Sequence, residues 1–467
     1  MSINPLRNIP SVNDLLESPP LRALVERISH SAMVSTVRTV LEELRSEVQN
    51  AAVERTLPSV TELAERIARR VMETETSSLR PVINATGALW DTGLGRAPLA
   101  DAAVEEIAAV ARDYASLELD LATGRRCRRT TAVEGLLREL TGAEAALVVN
   151  NNAGATMLVL SALAAGREVI VSRGQLIQIG DSFRLPEVIT ASGAVLREVG
   201  TTNYTRLDDY AEAIGQQTAA LMLVETSEFA LVGNVASVRL GDLVELGRKH
   251  TLPVIHDVGS GALVGLGELG LADEPVVCES IKGGAELVLS SGDKALGGPQ
   301  AGIILGRRAL LERIERHPLA RALRPGTLTL AGLAATLRLY RDPKRARRQI
   351  PLLSLLGTSV ENLKNRAERL APLLAATGAV SRAESVAGVS SPGGGSTLTG
   401  RLSTWCVAVT PEGMSVDRLA AGLRQGTPPV VGRVVQDRLV LDLRTVVPRQ
   451  DQGLVEAFTA VGEGRKS

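Results

Sequence analysis

Lysine is scarce in this chain, and the scarcity narrows the chemistry. Among 52 basic residues only six are lysine: Lys249, Lys282, Lys294, Lys344, Lys364 and Lys466. Lys294 sits in SSGDKALGG, just past an apolar run and among small residues that leave an amine approachable. Lys249 and Lys364 lie in charged helical stretches, Lys344 in a basic run and Lys466 near the last residue, so Lys282, in SIKGG, is the one rival. Two other features also stand at the ends of apolar runs. Asp257 closes LPVIHD, and NNNAG (150–154) follows AALVV and opens an alanine-rich helical pattern. Small residues at a helix start expose backbone N–H groups that suit a phosphate. A phosphate seat at Asn151, Asn152, Ala153 and Gly154, a carboxylate at Asp257 and an amine at Lys294 form the set that pyridoxal 5'-phosphate needs. They supply an anchor, a partner for the ring nitrogen and an amine for a Schiff base. Asn-rich turns and strand-end aspartates are each common; the weight lies in the three occurring together, in this order.

Arginine supplies a second theme. GLGRAPL presents Arg96 in a Gly/Pro turn, LATGRRCRR presents Arg125, Arg126, Arg128 and Arg129, and HPLARALRP presents Arg321 and Arg324. The last two are three apart and able to share a helix face. Guanidinium forks match phosphate oxygens bidentately. One cofactor phosphate does not need them all, so the surplus suggests a further anionic substrate, with ion pairing as the plain alternative. GLGELG (265–270) fits a dinucleotide-binding spacing, but it lies late in the domain and runs into a loop, so it reads as a glycine-rich turn.

The elements that must position these groups are legible as texture. Residues 1–80 read as helical: SVNDLL and SVTELAERIARRVM each open with Ser followed three residues later by an acid, and residues 34–57 form one long amphipathic pattern. From about residue 81, short apolar runs alternate with helical patterns: 145–150, 168–172, 194–200, 219–227, 252–261, 285–298 and 301–306. This alternation predicts an α/β domain with a mainly parallel sheet, whose ligands sit beyond the carboxyl ends of the strands. The basic run 338–348 reads as a solvated connection and 390–397 as a flexible loop. WCVAVT, SVDRLAAGLRQ, VVGRVV and RLVLDLRTV predict a small α+β domain at the C-terminal end. The expected domains are 1–80, 81–337 and 338–467.

Composition sets the outer limits. Hydrophobic residues are 45% and charged residues 22%, with equal numbers of acids and bases, so no overall charge drives binding to DNA or to a membrane. Aromatic residues are only 2%, which speaks against a surface of base-stacking platforms. Residues 1–80 hold ten arginines, no lysine and eleven acids, so charge alone marks no RNA-binding module there. Three separated cysteines and four histidines without ligand spacing predict neither a disulfide framework nor a metal site, and fit a reducing cytoplasm. The first twenty residues hold no apolar signal core, and no long uncharged apolar run predicts a membrane span.

Taken together, these segments resemble the bacterial selenocysteine synthase family, the L-seryl-tRNA(Sec) selenium transferases. The resemblance runs through NATGALWDTGLGRAPL, LATGRR, GAEAALVVNNNAGA, EVIVSRGQLIQIGDSFRLP, EVGTTN, DVGSGAL, SGDKALGGPQAGI, HPLARALR, LTLAGLAATLRLY and PPVVGR with RLVLDLRTV, nearly the whole chain. It implies the fold-type I, aspartate-aminotransferase-like architecture, with Lys294 as the cofactor lysine and an N-terminal helical domain that contacts tRNA. It also implies a homo-oligomer of dimers, commonly a ring of five. The implied reaction converts Ser-tRNA(Sec) to selenocysteinyl-tRNA(Sec) through an aminoacrylyl-tRNA. Arg96, Arg321 and Arg324 match the arginines that hold selenophosphate, the selenium donor.

The chain departs from the family pattern at several places. His and Asn are usual where it has Asp91 and Gly93, Gly at Cys127, Glu at Gln175, Arg at Tyr204 and His at Glu225. A His-to-Asp change removes a cationic donor and adds an acceptor near an anionic donor molecule. Two other readings therefore stay open: a pyridoxal phosphate lyase or transferase acting on a small substrate without tRNA, and a non-catalytic tRNA-binding paralogue.

Overall fold

The computed structural model describes residues 9–25, 28–50, 58–75, 79–180, 183–225, 231–272, 274–393 and 402–464, which form two compact units, Met1–Pro81 and Val82–Ser467.

The first unit is four helices, Val12–Leu16, Pro19–Val25, His30–Asn50 and Val60–Glu75. Both Ser-x-x-acid signatures form capping boxes. Asp14 N–H donates to Ser11 Oγ at 3.2 Å and Ser11 N–H to Asp14 Oδ2 at 3.1 Å. Glu62 N–H donates to Ser59 Oγ at 3.2 Å and Ser59 N–H to Glu62 Oε2 at 2.7 Å. Met33, Val37, Val40, Leu41 and Leu44 recur at helical spacing and meet Leu63, Ala64, Ile67 and Val71 in one small core. The long helical pattern expected over 34–57 is helical to Asn50; residues 51–57 lie outside the described residues.

In the second unit a seven-stranded sheet runs in the order Ala145–Val149, Gly302–Gly306, Leu287–Ser291, Val254–Gly259, Thr218–Val224, Glu168–Ser172, Val195–Val199. All neighbours pair in parallel except Gly302–Gly306, which is antiparallel to both of its partners. The inner strands and Ala145–Val149 are mainly Val/Ile/Leu/Ala runs because both faces are covered, whereas the edge strand Val195–Val199 carries exposed Arg197 and Glu198. Strand and helix alternate as the sequence predicts. The decoy GLGELG forms one turn of 3-10 helix, Gly267–Leu269, closed by a left-handed Gly270.

The basic run 338–348 is solvated, as expected, but it is helical and packs on the large domain rather than leaving it. Helix Thr327–Leu339 passes through the expected boundary at 337/338, and Pro343–Gln349 is a second helix capped by Asp342. Its arginines face solvent while Tyr340, Ala346 and Ile350 are buried, so an amphipathic period underlies the charge. The small antiparallel sheet has the order Val380–Ser390, Leu402–Pro411, Arg438–Asp442, Arg433–Val435, with helices Val360–Ala375, Val416–Gln425 and Asp451–Glu463 contributing to the same core. The flexible loop expected at 390–397 lies outside the described residues from 394 onward.

Beneath this sheet Asp442 is fully buried and accepts four donors: Thr404 Oγ1 at 2.7 Å and Arg444 N–H at 3.1 Å on Oδ1, Ser390 Oγ at 2.8 Å and Arg433 Nη2 at 3.3 Å on Oδ2. A Cβ on Gly87, where φ is +82°, would fall 2.2 Å from Asp442 Oδ2, so glycine is required there. Arg444 spans two regions. Its Nη1 donates to the carbonyls of Leu355, Leu356 and Thr358, and its Nη2 to that of Ser403.

Candidate active site

Three strand ends on the carboxyl edge of the large sheet carry the groups singled out by the sequence. Lys294 follows Leu287–Ser291 through the turn Gly292–Asp293 and is only 4% exposed. Glycine shapes that turn's surroundings. A Cβ on Gly261 (φ +76°) would sit 2.3 Å from Ser291 O, so DVGSGAL and SGDK approach through bare backbone.

Asp257, 6% exposed, lies on the neighbouring Val254–Gly259 strand. Its Oδ1 accepts Asn152 Nδ2 at 2.9 Å and Gly259 N–H at 3.1 Å, and its Oδ2 accepts Thr156 Oγ1 at 3.2 Å. Burial pushes this carboxyl above the usual aspartate range, against the opposing pull of the Asn152 and Gly259 bonds, the Lys294 ammonium and the Thr156 bond. The Thr156 proton has a second acceptor, Asn152 O at 3.1 Å, so Oδ2 keeps room for one further N–H donor.

The third strand end is Ala145–Val149, which leads into helix Asn152–Ala164. Asn151 is its N-cap, and Asn151 Oδ1 accepts Gly154 N–H at 2.8 Å. Gly154 therefore spends its N–H within the helix end. The N–H groups of Asn152 and Ala153 remain as first-turn donors without an intrahelical acceptor. A Cβ on Gly154 would lie 3.2 Å from Asn150 Oδ1 and 3.3 Å from Leu323 Cδ2, so the cradle is tight.

Arg96 has a left-handed backbone (φ +69°), a rare state for a side chain this large. Ala97 N–H donates to Asp293 O at 3.2 Å and Arg96 Nε lies 3.9 Å from Asp293 Oδ2, which ties this turn to the residue before Lys294. Burial also raises the Asp293 carboxyl, opposed by the Arg96 and Lys294 charges. Arg321 and Arg324 do not share a helix face, because helix Pro318–Ala322 ends before Arg324. Both are exposed, and they flank Leu323, whose carbonyl accepts Asn150 N–H at 2.9 Å. They are thus tied to the phosphate-seat turn, whereas Arg96 is tied to the lysine turn. Arg324 Nη1 stands 4.0 Å from Glu118 Oε1.

Three of the four LATGRRCRR arginines have acidic partners. Arg126 and Arg129 share Glu118, and Arg128 bridges Glu134 and Glu315. For these three the plain alternative holds. The departures at Asp91 and Gly93 belong together: Asp91 Oδ1 accepts Gly93 N–H at 2.7 Å, and a Cβ on Gly93 would come within 3.2 Å of that oxygen. One oxygen of the carboxylate thus caps its own turn.

Residues that the sequence did not single out complete the edge. Thr156 stands one helical turn after Asn152, and that i+4 spacing is the signal for it. His256, buried, faces the opposite side of the sheet from Asp257; its Nε2 is 2.9 Å from Glu225 Oε1 and its Nδ1 3.0 Å from Ser280 Oγ. Gln175 Oε1 accepts Val224 N–H at 3.1 Å. Neither contact has a signature in the sequence. Among the described residues no group of three or more His, Cys, Asp or Glu could hold a metal ion, and no helix is long and apolar enough to cross a membrane.

The donor set suits pyridoxal phosphate: first-turn N–H groups for the phosphate, a buried carboxylate with spare acceptor capacity for the ring nitrogen, and a buried amine for the aldehyde carbon. Comparisons with known proteins agree. The L-seryl-tRNA selenium transferase family pattern matches residues 82–447, and the selenocysteine synthase N-terminal pattern matches residues 6–45. An L-seryl-tRNA(Sec) selenium transferase of Moorella thermoacetica is 46% identical over 464 residues, covering 99% of this chain and 98% of that protein. One of Geobacter sulfurreducens is 44% identical, covering 96% and 98%. Among solved structures, D-glucosaminate-6-phosphate ammonia-lyase superposes with a TM-score of 0.58 at 21% identity, covering 85% of this chain and 99% of that one, a likeness of fold.

Proposed function

The chain belongs to the L-seryl-tRNA selenium transferase family, and on that premise we propose that it converts Ser-tRNA(Sec) to selenocysteinyl-tRNA(Sec), with pyridoxal phosphate as cofactor and selenophosphate as selenium donor. Its architecture is that of the fold-type I, aspartate-aminotransferase-like enzymes. The observation that carries the proposal is a buried amine acting on a buried carboxylate at adjacent strand ends, Lys294 and Asp257.

When bound, pyridoxal phosphate supplies an electron sink that stabilises negative charge at the seryl α-carbon. Lys294 Nζ would hold the cofactor through its aldehyde carbon and, as a free amine, would take the α-proton of the seryl group. Asp257 Oδ2 would accept the ring N–H and so favour the protonated ring nitrogen. Asn152 and Thr156 hold the carboxylate in orientation. The N–H groups of Asn152 and Ala153 bind the cofactor phosphate at the helix start. Arg96, Arg321 and Arg324 would hold the phosphoryl group of selenophosphate, so that once the seryl β-hydroxyl has left as water, selenium adds to the β-carbon and water cleaves the P–Se bond to release phosphate.

The assignment gives residues 1–80 to tRNA and the residues from 81 to cofactor and chemistry, with the helices around 337/338 in the large-domain core and the small domain built around helix Val360–Ala375. The protein works in the cytoplasm on charged tRNA, as a homo-oligomer of dimers. The exposed apolar side chains of Tyr114, Leu119 and Leu121 support an interface there.

The test is selenocysteinyl-tRNA formation from Ser-tRNA(Sec) and selenophosphate, with Lys294→Ala beside the wild type. The wild type should be yellow and active and the variant colourless and inactive. Serine turnover without tRNA would favour the small-substrate enzyme, and a colourless wild type that binds tRNA would favour the non-catalytic paralogue.

A further inference from the structure

The loop leaving Glu168–Ser172 places an amide at the same edge of the sheet. Gln175 ends the 3-10 turn Arg173–Gln175, and its Oε1 accepts Val224 N–H at 3.1 Å. Val224 is the last residue of its strand and the register partner of Asp257. On the other side Met222 pairs with Val171, so the Gln175 side chain occupies the ladder position that a longer Glu168–Ser172 strand would have filled. The amide is therefore held about one to two strand spacings, roughly 5–10 Å, from Asp257. With Oε1 committed, Nε2 offers two N–H donors that have no partner among the described residues. Of the nearby carboxylates, Glu225 pairs with His256, and Asp257 accepts from Asn152, Gly259 and Thr156, its remaining Oδ2 site being the one assigned to the ring nitrogen.

Pyridoxal phosphate has four polar handles. The ring nitrogen, the phosphate and the aldehyde carbon have their counterparts in Asp257, the first-turn N–H groups and Lys294. The fourth, the phenolic oxygen, carries negative charge and needs a neutral or cationic donor; a carboxylate facing it would repel it. We propose, resting on the cofactor reading above, that Gln175 is a cofactor-binding residue whose Nε2 donates to this phenolic oxygen while Oε1 stays anchored on Val224. The family pattern has Glu at this position; this chain's amide keeps the anchor and replaces a charge with a donor.

Gln175→Glu separates the two ends of the side chain, because a carboxylate still accepts from Val224 N–H. The cofactor-free variant should melt with the wild type. It should bind pyridoxal phosphate about tenfold more weakly, and the absorbance–pH profile of the bound cofactor should shift. With 3-O-methylpyridoxal phosphate, which lacks the free phenolic oxygen, wild type and variant should converge in affinity, a comparison that holds even if the variant is less stable. Equal affinity and identical spectra for pyridoxal phosphate would overturn the proposal, as would an undiminished difference with the methylated analogue. A wild-type chain that binds no pyridoxal phosphate would instead overturn the cofactor reading beneath it.

Discussion

Asp257 in the large domain and Asp442 in the small one are both buried carboxylates at strand ends, yet their surroundings differ in kind. Asp442 accepts four donors, one of them a guanidinium, and both oxygens are fully engaged. Asp257 has neutral donors only, one of which can turn to another acceptor, and a lysine acts on it from the next strand. Two buried aspartates thus do opposite work: the saturated one holds the fold together, and the under-committed one is available to a ligand. Burial alone does not mark function; spare acceptor capacity beside a lysine does.

The sharpest way to break this comparison is to neutralise each in turn. Asp257→Asn should cut selenocysteinyl-tRNA formation by on the order of 10³-fold, with a cofactor-free melting temperature no lower than that of the wild type, measured by single-turnover assay and calorimetry. Asp442→Asn should do the reverse, costing about 3 kcal/mol of stability in denaturant unfolding while leaving the cofactor spectrum intact at low temperature. If Asp442→Asn bleaches the cofactor and Asp257→Asn unfolds the chain, the division of labour is wrong. Gly87→Ala forces a methyl onto Asp442 and should cost about 2 kcal/mol, again without touching the spectrum. Thr156→Val removes one donor from Asp257 and should weaken cofactor affinity by about tenfold, worth roughly 1.4 kcal/mol, measured by fluorescence titration.

The smallest expected effect is on pH dependence. Burial raises the folded-state pKa of Asp257 above its ordinary 3.8. A carboxyl raised in this way favours the folded, cofactor-free protein below that ordinary value and loses the contribution as pH rises through the raised one. The stability of the wild type relative to Asp257→Asn, both cofactor-free, should therefore fall as pH rises from about 4. Bound pyridoxal phosphate should restore it by pairing the carboxylate. A difference that rises with pH would show that the Lys294 charge and the hydrogen bonds outweigh burial.

Much of this was legible in sequence. All strands of the large sheet but the edge strand Val195–Val199 are mainly apolar because both faces are covered, and the helix starts at Ser11 and Ser59 carry their caps within three residues. Lys294 stood out because so few lysines compete. The missing part is what depends on partners distant in the chain. Arg128 is claimed by Glu315 and Gln175 by Val224, and no local pattern announces either. The basic run 338–348 misled because its charges lie on one side of a helix whose other side is buried. The departures at Asp91 and Gly93, alarming one at a time, make sense as a matched turn.

Arg444 constrains how the enzyme can move. One guanidinium laces the carbonyls of Leu355, Leu356 and Thr358 to that of Ser403, so any hinge between this stretch of helix end and the small sheet would have to sever several buried bonds at once. Any motion of the small sheet must therefore carry residues 355–358 with it as a single piece.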